Sequence, residues 1–155
     1  MTRRRHLQTV ATALPALELE LDGNPLVRVP DRAFQAAFSR AERRFLYQRT
    51  SLWLWFRLVA LDAADAHFDG LELPLICATR GGRIGPKAKF AKIWSRLAGR
   101  PAVKGERLST AIFKGRLFTI RTRTVRVDHE QNPHGAIDEY SVVQDILEIE
   151  VGGPR

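Results

Sequence analysis

A chain of 155 residues is long enough for one domain with a sizeable core, and its single cysteine, Cys77, excludes an internal disulfide framework. No run approaches the roughly 20 apolar residues of a membrane helix, and Met1–His6 leads into no long apolar segment, so neither a helical span nor a signal peptide is expected and the expected compartment is the cytoplasm. The net charge of +8 is unevenly placed: residues 28–126 hold 21 Lys and Arg against 7 Asp and Glu, whereas residues 127–155 hold 1 against 7. That balance favours a polyanionic partner.

Residues 1–30 read as an N-terminal arm, partly disordered, with a turn signal at Asp22-Gly-Asn-Pro25. The main domain is expected over 31–151, followed by a tail at 152–155. From Arg32 a strand pattern begins, with Phe34, Ala36 and Phe38 on one face, running to about Glu42. Arg40, Arg43, Arg44 and Arg49 crowd around an expected connection that contains Phe45 and Tyr47. The next strand, Ser51–Ala60, places Leu52, Leu54, Phe56 and Leu58 on one face and Trp53, Trp55, Arg57 and Val59 on the other.

Asp62–Gly70 reads as a loop, and Leu71–Thr79 as a third strand in which Cys77 is a buried, inert thiol. The breaker cluster Arg80-Gly-Gly-Arg-Ile-Gly-Pro86 leads into a helix over Lys87–Ala98. Phe90, Ile93, Trp94 and Leu97 fall there at the spacing of a buried stripe, with Pro86 suited to the first turn and Gly99 to the C-terminal cap. The stretch Phe113–Val127 has the plainest strand chemistry of the chain. Phe118 and Ile120 share one face; Leu117, Thr119, Arg121, Arg123, Val125 and Val127 share the other, with Arg126 opposite them. Asp128–Asp138 is a loop, and Tyr140–Val151 a last strand.

The fold expected is mainly β with one principal helix, in the order β-β-β-α-β-β. Five strands with the helix between the third and fourth is the order of an OB-fold, a small, partly open Greek-key barrel. Phe113-Lys-Gly-Arg116 at a strand start and Tyr140-Ser-Val-Val143 in a closing strand, with the helix before them, resemble a group of single-stranded-DNA-binding OB proteins of phages and mobile elements. The resemblance covers roughly residues 33–150. It implies an OB-like five-stranded barrel that works in replication, recombination or defence.

Non-specific single-strand binding needs flat rings for the bases and cations for the phosphates. The candidate residues are Arg43, Arg44, Tyr47, Arg49, Trp53, Trp55, Arg57, Lys114, Arg116, Arg121, Arg123 and Arg126. Two placements of Trp53 and Trp55 are open: exposed beside arginine, or packed under the helix against Phe90 and Trp94 or in a dimer interface, as tryptophans commonly are. The first favours a single-stranded nucleic acid, free or within a nucleoprotein complex, with a homo-oligomer among the allowed states. The second favours an interaction subunit or small inhibitor that docks a basic face on an acidic protein or nucleoprotein complex.

Catalytic signatures are weak. Asp128-His129 with His134 in a Pro/Gly loop is a poor metal spacing, and no nucleophile elbow, Cys-x-x-Cys or phosphate-cradling glycine loop is present. A non-enzyme without cofactor or metal is expected.

Overall fold

The computed structural model describes residues 16–20, 26–128, 130–133, 135 and 138–150. Its strands are β1 (Ala33–Leu46), β2 (Arg49–Val59), β3 (Glu72–Thr79), β4 (Leu117–Val125) and β5 (Tyr140–Ile149). They form one antiparallel sheet in the order β3-β2-β1-β4-β5. The helix α1 (Lys89–Ala98) falls between β3 and β4, as expected, and 3-10 helices cover Ala63–Phe68 and Thr110–Phe113. Val151 and the tail lie outside the described residues.

Alternation explains most of the core. Leu54, Phe56 and Leu58 of β2, Leu73, Leu75 and Cys77 of β3, and Phe118 and Ile120 of β4 are all buried on the inner face. Phe113, at the end of the second 3-10 helix, joins Phe38, Phe56, Phe90 and Phe118 in an aromatic cluster with centroids 5.4–6.2 Å from Phe113. Phe113 and Lys114 therefore precede β4 instead of opening it. Burial pushes the Cys77 thiol up to about 11, so it stays protonated and unreactive near neutrality.

β1 contains an irregularity that the alternation hides. Phe34, Ala36, Arg40, Glu42 and Arg44 are all even-numbered, so an unbroken strand would turn three charged side chains inward. The register with β2 shifts between Phe38 and Arg40, leaving Ser39 as the extra residue of a bulge. After the bulge Ala41 packs against the core, while Arg40, Glu42 and Arg44 stand opposite Trp55, Trp53 and Ser51 on the outer face. Ser39 Oγ donates to Glu72 Oε1 across the sheet at 2.7 Å.

α1 buries Phe90, Ile93, Trp94 and Leu97, and Gly99 ends it in the left-handed conformation at φ 72°. Its first residue is Lys89, after an extended Ala88, so Pro86 lies outside the helix and not in its first turn. The Cα atoms of the edge strands β3 and β5 come within 8 Å, although no hydrogen-bonded ladder joins them among the described residues. α1 supplies partners for the β5 backbone. Lys89 Nζ donates to the Gln144 carbonyl at 2.6 Å, and Arg96 donates to those of Ile146 and Leu147 at 2.9 and 3.3 Å.

A segment ahead of β1 is fastened to the other side. Val29 is buried, its N–H donates to Ser141 Oγ at 2.8 Å, and Thr122 Oγ1 donates to the Pro30 carbonyl at 2.7 Å. No helix among the described residues is long and apolar enough to cross a membrane.

Candidate nucleic-acid interface

The two tryptophans do not lie under the helix. Residues directly opposite in an antiparallel pair share a face, and the pairs Glu42↔Trp53↔Ile76 and Arg40↔Trp55↔Pro74 run across the outer side of the sheet. Trp94 and Phe90 are buried on the inner side. Trp53 and Trp55 are half-buried, with ring centroids 5.9 Å apart and planes inclined by 40°.

Arginines cover these rings. The Arg44 guanidinium lies 3.9 Å from the Trp53 centroid and 5.7 Å from that of Trp55, and the Arg40 guanidinium lies 4.6 Å from Trp55. Each such contact contributes about 0.5–1 kcal/mol at an exposed site. The indole N–H groups are also held: Trp53 Nε1 donates to Ser51 Oγ at 2.9 Å and Trp55 Nε1 to Glu42 Oε1 at 2.9 Å.

Glu42 joins the group together. Arg44 Nε donates to Glu42 Oε1 at 2.8 Å, and an Arg40 nitrogen lies 3.3 Å from Glu42 Oε2. Partial burial pushes the Glu42 carboxyl up. The hydrogen bonds from Trp55 and Arg44, with the charges of Arg44 and Arg40, outweigh that and hold it below its ordinary value. Arg40 also lies 3.8 Å from Glu72, linking the cluster to the edge strand β3. Two aromatic planes, two guanidinium planes and one carboxylate thus occupy one patch of the outer face.

The expected connection around Arg43, Arg44, Tyr47 and Arg49 is instead a continuous hairpin. The β1–β2 ladder runs to Leu46↔Arg49, leaving Tyr47 and Gln48 as the turn. Both have positive φ, 53° and 61°, the signature of a two-residue primed turn. No Asn-Gly or Asp-Gly announces it, which is why the sequence suggests a longer connection. A left-handed conformation costs a non-glycine residue about 1–2 kcal/mol.

The other candidates are scattered. Arg57 is exposed on the Trp row, between Ala37 and Glu72. Arg43 is exposed on the inner side, beside Gly82: a Cβ placed on that glycine would lie 3.8 Å from its guanidinium. Lys114 caps the second 3-10 helix. Arg116 donates to the Leu97 carbonyl at 3.4 Å, serving the end of α1. Arg126 pairs with Glu139 at 3.2 Å, beside Arg28 at 2.9 Å.

Arg121 and Arg123 are exposed on β4, and the pairs Ala37↔Arg57 and Ala33↔Arg121 place Arg121 eight strand positions beyond the level of Trp53. At about 3.3 Å per residue that is roughly 26 Å along the strands. The structure therefore brings Arg44, Trp53 and Trp55 together and leaves the β4 arginines at the other end of the sheet.

Arg40 and Glu42 are additional members of the patch. Their signal is the alternation Arg40-x-Glu42-x-Arg44 beside Trp53-x-Trp55, which becomes informative once the bulge is known. No three His, Cys, Asp or Glu side chains converge among the described residues, and His129 and His134 lie outside them. No family model, curated protein or solved structure matches this chain.

Proposed function

We propose that this protein binds single-stranded nucleic acid without catalysis, using the outer face of β1 and β2 as a stacking surface and the surrounding arginines as phosphate partners. The observation that carries this reading is the Trp53/Trp55 pair on the outer face, roofed by Arg44 and Arg40. A base meets either an indole, once Arg44 swings aside, or the flat guanidinium above it; both are planes on which bases stack. A stacked base contributes about 1–3 kcal/mol, and the contact tolerates any sequence because every base has a π-face.

The fold we propose is an OB-like, partly open barrel. It is supported by the strand order, by the position of α1 between β3 and β4, and by the approach of β3 to β5. In such barrels the second and third strands and the neighbouring loops commonly hold oligonucleotides, and the tryptophan patch lies on the second strand beside the third. The resemblance of Phe113–Arg116 and Tyr140–Val143 to mobile-element proteins supports single-stranded DNA as the ligand, in replication, recombination or defence, within the cytoplasm.

The test is fluorescence anisotropy with a labelled mixed-sequence single strand, at two salt concentrations and with duplex competitor. Wild type should bind in a salt-sensitive way and prefer the single strand. Trp53→Ala with Trp55→Ala should weaken binding by at least about tenfold while the protein stays folded. Absence of binding at micromolar protein and low salt refutes the reading and directs attention to an acidic protein partner.

A further inference from the structure

We propose that the tip of the β1–β2 hairpin is a wedge for the junction at which a nucleic-acid duplex opens into two single strands. The inference rests on the reading of the Trp53/Trp55 surface and names the class of substrate that surface would meet.

The tip is apolar, exposed and two-sided. Phe45, Leu46 and Tyr47 are 68%, 46% and 66% exposed, on a ribbon that otherwise covers its large apolar side chains. Phe45 pairs with Thr50 on the inner face of the ribbon, and Leu46 pairs with Arg49 on the outer face. A flat partner covers one face of such a tip. Both are covered when the tip enters between two surfaces, and apolar side chains do insert between base steps in this way. The turn adds a second observation. Tyr47 holds a positive φ that glycine adopts without strain, so a bulky aromatic ring is kept where the backbone does not favour one.

Charge gives each separated strand a path. On the outer side the ribbon runs from Leu46 and Arg49, past Arg44 and Ser51, to Trp53. Four strand positions separate Arg49 from Trp53, roughly 13 Å, so a strand parted at the tip leads to the stacking rings. On the inner side Arg43 stands beside the Gly81-Gly82 turn. That turn is anchored to the hairpin by the Gly81 N–H, which donates to Thr50 Oγ1 at 2.8 Å, and is closed by two backbone bonds between Arg80 and Arg83 at 2.8 and 3.0 Å. Arg43, Arg80 and Arg83 are exposed there. The sequence places no Asp or Glu in 43–61 or 73–105, so the outer path reaches a carboxylate at its far end, where Glu42 stands opposite Trp53 and is already paired with Arg44 and Arg40. A lipid surface would engage the tip and leave the tryptophan patch idle, which is why we favour the junction.

The wedge is passive: it captures base pairs that fray and consumes no energy source. The full chain should be titrated with a mixed-sequence fork bearing two non-complementary arms, with one arm alone as a single strand, and with the blunt duplex. A second fork carries 2-aminopurine in the junction pair. Wild type should prefer the fork to either control by roughly tenfold, the scale of one stacked base, and raise the 2-aminopurine fluorescence. The double variant Phe45→Ser/Leu46→Ser changes two exposed side chains, so it should fold. It should keep single-strand affinity and lose the fork preference.

Equal binding of fork and arm by wild type overturns the wedge and leaves the stacking surface standing. Binding of no nucleic acid overturns both. Retained fork preference in the double variant overturns the role of the tip. Pelleting with phosphatidylglycerol–phosphatidylcholine vesicles that depends on Phe45 and Leu46, without fork preference, assigns the tip to a lipid surface and overturns the proposal.

Discussion

In the proposed complex Glu42 would hold a carboxylate in the place of a phosphate, between Arg40 and Arg44 and under the Trp55 indole N–H. Glu42→Gln keeps the acceptor for Trp55 and removes the competing charge. Single-strand affinity should rise, and the plot of log affinity against log salt should steepen by up to about 0.7, the equivalent of one more neutralised phosphate. Anisotropy titrations over a salt series measure this, and an unchanged slope would mean that the two arginines do not reach phosphate. The same carboxylate has a signed effect on stability. Its folded value lies below the ordinary one, so its stabilisation is full above the unfolded carboxylate value near ~4.3 and is lost as pH falls through the lower folded value. In thermal melts the wild type should therefore exceed Glu42→Gln most clearly at neutral pH, with the gap closing in acid.

The bulge at Ser39 turns β1 from a strand that lines the core into one that presents charge. Deleting Ser39 would remove the extra residue and leave Arg40 opposite Trp55 and Glu42 opposite Trp53 in unbroken alternation, so both charges should stay outward and the variant should fold. Ser39→Ala, losing the bond to Glu72, should cost about 1 kcal/mol, and the deletion, which also removes the local twist, about 1–2 kcal/mol. Urea denaturation followed by circular dichroism measures both; a deletion variant that fails to fold would show that the bulge does more than set the facing of the charges. The inner and outer faces of β2 and β4 and the buried stripe of α1 were legible in the sequence, because period-two and helical spacing are properties of neighbouring residues. The bulge, the Tyr47–Gln48 turn and the pairing of Glu42 with Trp53 were not. They depend on register between strands, and neither glycine nor asparagine marks the turn. Lys89 and Arg96 donate to carbonyls of β5, a role that helical spacing does not reveal. Arg96→Ala should lower stability by about 1–2 kcal/mol and raise concentration-dependent association, measurable by light scattering, as the edge loses its cover.

The whole-chain charge division also looks different once folded. The acidic C-terminal strand does not stand apart from the basic body: β5 lies along β4, with Asp145 opposite Arg121 and Glu148 opposite Thr119, while Glu139 engages Arg28 and Arg126. The arginine-rich strand that dominates the sequence is thus partly offset by its neighbour. The hairpin end has Arg43, Arg44, Arg49, Arg80 and Arg83, with no Asp or Glu contributed by 43–61 or 73–105. Positive potential should concentrate there, roughly 30–40 Å from Arg121 along the strands. Arg44→Ala/Arg49→Ala should accordingly reduce the single-strand salt slope by about 0.7–1.4, one phosphate contact from Arg49 and up to one more from Arg44, which Glu42 already engages, while Arg121→Ala/Arg123→Ala should reduce it by less. The comparison is made by anisotropy over the same salt series, with short and long oligonucleotides. If the β4 pair matters equally, and only for the longer strand, the nucleic acid crosses the whole outer face and the stacking patch is one end of an extended track.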